Sequence, residues 1–117
     1  MRYAAAFLDH FQHPRRQGAL EGATHRGQAD DDACGDRIWI DLEIADGRVV
    51  DARYRVQGCV GAIAVGSALL SLLPGREATA DAVAREEIEA LLGEIPRAKR
   101  HALGLALRAY ADALGSS

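Results

Sequence analysis

Aromatic side chains make up only 5% of this 117-residue chain, and cysteine occurs just twice. With so few rings, Ala, Leu, Ile and Val must supply the apolar surface, which leans the chain towards helix with one short sheet. Long apolar runs are missing as well. Residues 60–73 are too short for a membrane span and carry Gly61, Gly66, Ser67 and Ser71. Residues 3–8 are too short for a signal-peptide core, and no small-residue cleavage site follows them. A cytoplasmic protein without a membrane partner is expected. Positive charge is not concentrated: beyond Pro14-Arg15-Arg16 and Lys99-Arg100 the basic residues are scattered, and the net charge is −3. That argues against a nucleic-acid partner. Two cysteines in such a chain are more readily metal ligands, reactive thiols or buried residues than a disulfide. Also missing are a Gly-rich phosphate loop, a Ser-His-Asp ordering and a His-Glu-x-x-His motif.

What is present fits one domain, residues 1–117, with one core. Tyr3, Phe7, Leu8 and Phe11 share a face of a short helix that Pro14 stops. Residues 13–33 are polar and glycine-rich, with acids at Asp30-Asp31-Asp32, and read as a long loop. Ile38, Ile40, Leu42 and Ile44 then alternate with polar positions, as do Val50, Ala52, Tyr54 and Val56. Asp46-Gly47 between the two runs predicts a β-hairpin. Residues 59–73 predict a buried helix ended by Pro74-Gly75, and Glu86 to Leu92 a short amphipathic one stopped by Gly93. Thr79 is a cap for a turn before it. Pro96 opens the last helix, with Ala98, Ala102, Leu105, Ala106, Ala109 and Ala113 on one stripe and Leu103, Leu107, Tyr110 and Leu114 on the next. The expected class is α+β: a small antiparallel sheet with helices packed on one face.

Four residues could carry chemistry. Cys34 lies in a polar loop, and Gly35 allows a bend that aims Cys34 and Asp36 at one point. Cys59 stands at the start of a helix, where unpaired N–H groups favour negative charge and so the thiolate that binds metal. His101 lies near the start of the last helix. Two thiols, a carboxylate and an imidazole are what a tetrahedral zinc site or a small iron–sulfur cluster needs. Each also has a plainer reading: Cys59 as a packed core residue, Cys34 as an incidental exposed thiol, His101 as a structural histidine. His10, His13 and His25 show no metal spacing.

At these residues the chain resembles the IscU/NifU N-terminal family of iron–sulfur cluster assembly scaffolds. The resemblance is carried by Asp9-His10-Phe11 with Pro14-Arg15 and Gly18, then Cys34-Gly35-Asp36 and Asp51-Ala52-Arg53-Tyr54. Gly58-Cys59, Ala62-Ile63-Ala64, Ile95-Pro96 and Lys99-Arg100-His101 complete it, so that it runs from Tyr3 to about Leu114. It implies an IscU/SufE-like fold whose loops gather three cysteines, an Asp and a His, binding zinc or building a 2Fe–2S cluster. Sulfur would come from a cysteine desulfurase, and the cluster would pass to apo acceptor proteins. Carried across, Cys34, Asp36, Cys59 and His101 form the site. The departure is Ala102, where the family has its third cysteine. A methyl group neither ligates iron nor carries a persulfide, so a cluster would rest on two thiolates plus Asp36 and His101, a set that holds iron less tightly. The usual sulfur acceptor is gone, and Cys34 becomes its best substitute. Family members typically read Leu-Pro-Pro-Val-Lys where this chain has Ile95-Pro96-Arg97-Ala98-Lys99, which puts docking of a dedicated Hsp70-type chaperone in doubt.

Three functions follow. The first is a diverged scaffold or carrier, not an enzyme, that binds iron or a labile 2Fe–2S cluster and hands it on. The second is a zinc-binding relative with a structural or desulfurase-regulating role. The third is a zinc hydrolase with Cys34, Cys59 and His101 on the metal and Asp36 as base, for which no substrate pocket is legible.

Overall fold

The computed structural model describes residues 3–33 and 35–115, so Cys34 lies outside the described residues. In chain order the elements are α1 (Ala5–Gln12), β1 (His25–Asp31), β2 (Asp36–Ala45), β3 (Arg48–Gln57), α2 (Val60–Leu72), α3 (Arg85–Leu92), a 3₁₀ turn (Arg97–Lys99) and α4 (His101–Leu114). The strands form one antiparallel sheet in the order β1-β2-β3.

The β2–β3 hairpin forms where the Asp-Gly signal lies. Asp46 and Gly47 both take positive φ, 53° and 73°, the backbone that matches the twist of paired strands. One departure from the alternation comes from a register shift at Glu43/Ile44. Ile44 pairs with Val49 while Glu43 pairs with Asp51, which leaves Val50 as the extra residue. Val49 therefore turns into the core and Val50 turns out, 53% exposed, the reverse of the simple period-2 reading. Ile38, Ile40 and Leu42 with Ala52 and Tyr54 complete the apolar face.

The segment read as a loop contains a strand. β1 pairs with β2 from His25 opposite Leu42 to Asp31 opposite Asp36. It carries no apolar alternation: Ala29 packs against the core, and at Gly27 the strand meets α4 through its backbone. A Cβ at Gly27 would stand 2.2 Å from the backbone nitrogen of Ala113, so α4 lies directly on the strand there. Beyond the other edge, Gly18 N–H donates to the Tyr54 carbonyl at 2.8 Å and Tyr54 N–H to the Arg16 carbonyl at 3.0 Å. On the outer face, Trp39 lies between the guanidinium groups of Arg37 and Arg55, each 5.6 Å from its ring centre.

The helices cover the apolar face: α4 lies on β1 and β2, α2 on β3 and α4, and α1 and α3 pack against α2. α2 is apolar on nearly all sides because it is surrounded. Its Gly66 lets the Tyr54 ring approach, since a Cβ there would meet ring carbons at 2.5 and 2.7 Å. Burial pushes the Tyr54 hydroxyl pKa far above its usual value, and that hydroxyl donates to the Ile63 carbonyl at 2.9 Å. The last helix starts later than Pro96 suggested. Pro96 leads into the 3₁₀ turn, and α4 begins at His101. Ala98, assigned to its buried stripe, is accordingly exposed, whereas Ala102, Leu103, Leu105, Ala106, Ala109, Tyr110 and Ala113 are buried. Near Thr79 there is a turn closed by Ala82 N–H to the Thr79 carbonyl at 3.1 Å, and the same carbonyl accepts from the Tyr110 hydroxyl at 2.7 Å. No helix among the described residues is long and apolar enough to cross a membrane.

Candidate functional site

Three chain junctions meet at one end of the sheet. Asp36 opens β2, Cys59 is the residue before α2, and His101 opens α4. The packing of α2 on α4 and the run of β3 into α2 fix their separations. One ligand atom from each of Asp36, Cys59 and His101 lies within 4.8 Å of the others. The Asp36 carboxylate is the centre. It accepts from the Cys59 N–H at 3.2 Å and from the Cys59 thiol at 3.1 Å, and His101 Nε2 stands 3.3 Å from its Oδ2.

Glycines make this meeting sterically feasible. A Cβ on Gly58 would lie 2.5 Å from Asp36 Oδ1 and 2.7 Å from its Cγ, so the carboxylate occupies the space a side chain would fill. A Cβ on Gly61 would lie 2.8 Å from Lys99 Cβ, so the first turn of α2 touches the 3₁₀ turn that delivers His101. Gly35, at φ 72°, closes the β1–β2 connection by donating its N–H to the Asp31 carbonyl at 2.7 Å.

Asp36 is only 3% exposed, and a carboxylate removed from water must be compensated. Its partners are a thiol and an imidazole, both metal donors, so a cation among the three atoms would displace the thiol proton and satisfy all of them. Cys59 and His101 remain half-buried, which leaves the cluster open to solvent on their side.

Of the four residues selected from sequence, the structure brings together Asp36, Cys59 and His101, while Cys34 lies outside the described residues. Ala102, next to His101, is wholly buried in the core. Asp31 was not singled out from the sequence: its Oδ2 lies 3.9 Å from His101 Nε2, although it is not among the three residues whose ligand atoms all lie within 4.8 Å of one another. Its signal was the acidic run, which could be placed only once β1 was known to pair Asp31 opposite Asp36. His10 belongs elsewhere. It is buried, its Nδ1 is 2.7 Å from the Ser67 hydroxyl, and burial together with Arg15 lowers its pKa.

A three-stranded sheet backed by helices, with an Asp-Cys-His cluster at its end, defines a small α+β class in which potential metal ligands come from three separate junctions. The chain belongs to the family of the NifU-like N terminal domain, whose model matches residues 2–116. It is 34% identical over 113 residues to an iron-sulfur cluster assembly scaffold protein IscU of Archaeoglobus fulgidus, covering 96% of this chain and 71% of that one. It is 44% identical over 110 residues to the nitrogen fixation protein NifU of Cereibacter sphaeroides, covering 93% of this chain and 45% of that one. The bifunctional protein NifU/MnmA of Rubrobacter xylanophilus is 40% identical over 118 residues, and this chain spans only 24% of its length. The crystal structure of a NifU-like N-terminal protein from Brucella abortus superposes with a TM-score of 0.81 at 19% identity, covering 96% of this chain and 91% of that one, which establishes the fold.

Proposed function

We propose that this chain is a scaffold or carrier on which iron, or a labile 2Fe–2S cluster built from it, is held and then passed to acceptor proteins. The observation that carries the proposal is the convergence of Asp36, Cys59 and His101 within 4.8 Å in a chain of this family. The relative from Archaeoglobus fulgidus, named as an iron–sulfur cluster assembly scaffold, supports it. Cys34 completes the ligand set, adds the second thiolate and takes the role of sulfur acceptor from a cysteine desulfurase. The iron or cluster is cargo, so chemical turnover is not the task of the site. Partial exposure of Cys59 and His101 suits handover, because an acceptor's ligand can approach from solvent while Asp36 keeps its hold from within.

The test is metal and acid-labile sulfide content, with the visible spectrum, of protein purified without oxygen, beside Cys34→Ala and Cys59→Ala. Iron and sulfide in equal amounts, with visible absorption lost in either variant, is the expected result. Stoichiometric zinc in a colourless sample would replace this reading with a zinc-binding one. No metal in a folded protein would refute both.

A further inference from the structure

We infer that Asp31 is a direct ligand at this site, supplying the donor that Ala102 does not. The inference rests on the metal-binding reading above. Residue 102 cannot bring a third sulfur: its alanine side chain is wholly buried in the core. Asp31 enters from another direction. The β1–β2 register sets it directly across from Asp36. Its Oδ2 lies 3.9 Å from His101 Nε2, the same nitrogen that stands 3.3 Å from Asp36 Oδ2. The imidazole nitrogen thus lies near both carboxylates, and the Asp31 side chain is itself partly buried at 17% exposure.

The charges around it point the same way. A cavity of about 140 Å³ opens beside the pair, walled by Asp30, Asp31, Asp32, Asp36, Arg37 and Gln57. Its one guanidinium, Arg37, is engaged with Asp30 through contacts of 2.7 and 3.1 Å. A concave wall with more carboxylates than cations concentrates divalent ions. The resulting donor set, two carboxylates and an imidazole with thiolate, is harder than a sulfur-rich one and suits ferrous iron before any sulfide arrives. Asp31 therefore shifts the site towards loading the metal ion first.

Ferrous iron titrated anaerobically into the full chain tests this, using Asp31→Asn, Asp32→Asn as a neighbouring control, and Cys59→Ser. Asp31→Asn keeps the side chain's shape and should weaken iron binding by about 10–100-fold, the scale seen when groups supporting a metal are lost. Asp32→Asn should stay within about twofold. A second variant separates ligation from mere charge: Asp31→Cys, loaded with cobalt(II), should gain thiolate-to-cobalt absorption over the unaltered chain. Unchanged iron affinity in Asp31→Asn, with binding lost in Cys59→Ser, overturns the role of Asp31 and leaves the metal site standing. Weakened binding in Asp31→Asn without added absorption in Asp31→Cys overturns ligation, because charge alone then explains the loss. An unaltered chain that is folded yet binds no iron removes the underlying reading and this inference together.

Discussion

Gly58 governs the cluster without contributing an atom to it. Its missing side chain is the space into which the Asp36 carboxylate fits, with Oδ1 at 2.5 Å from where a Cβ would stand. Asp36 is held by the Cys59 N–H and thiol and faces His101, so it cannot retreat without losing them. Gly58→Ala should displace the carboxylate and weaken iron binding at least tenfold, while overpacking costs about 1–3 kcal/mol of stability. Iron titration together with urea unfolding would measure both, and full affinity in that variant would show that Asp36 does not need its present position. Cys59 stood out in the sequence because cysteine is scarce here and it falls at a strand-to-helix junction, and His101 because it ends the Lys99-Arg100-His101 segment that carries the family resemblance. Asp31 did not stand out. It is one of three consecutive acids, and only pairing with β2 distinguishes it from Asp30 and Asp32. No local pattern carries that distinction.

The elements show the same division. The β2–β3 hairpin and the buried α2 were legible because their signals are local: a two-residue turn with positive φ, and a run too apolar to face water. The register shift was not legible, since whether Val49 or Val50 turns inward depends on where the opposite strand slips. β1 escaped altogether. Its residues are mostly polar, and it is placed by pairing with β2 and by Gly27 lying under the backbone of Ala113, a contact between segments far apart in sequence. That contact makes a sharp prediction. Gly27→Ala would set a Cβ at 2.2 Å from a helix backbone nitrogen, and no rotamer relieves a clash with backbone. β1 or α4 must move, at about 3 kcal/mol. Since Asp31 ends β1 and His101 begins α4, iron affinity should fall with stability in this variant. Gly47→Ala is the contrast, because that tip has open space and only its φ of 73° opposes a side chain. Its cost should appear in urea unfolding alone. Equal iron affinity in both variants would mean that β1 and α4 do not set the site's geometry.

At the scale of the whole molecule, the cluster ties together junctions that the chain order keeps apart. Asp36 follows the β1–β2 connection, Cys59 the end of β3, and His101 the 3₁₀ turn. In an unfolded chain these residues lie far apart, so a cation that needs all three binds the folded state almost exclusively. Mass action then converts occupancy into stability, about 2.7 kcal/mol when free metal is a hundred times the dissociation constant. For a chain of this length that raises the melting temperature by about 10 °C. Anaerobic thermal unfolding with and without ferrous iron should show the rise in the unaltered chain. It should vanish in Cys59→Ala and in His101→Ala, whose metal-free melting temperatures should stay within a few degrees because both residues are half-buried. A rise that persisted in both variants would place the stabilising ion on other carboxylates and separate stability from the Asp36–Cys59–His101 cluster. Loss of the rise in both would mean that metal binding at the Asp36–Cys59–His101 cluster also locks its three junctions, and that losing the metal loosens them.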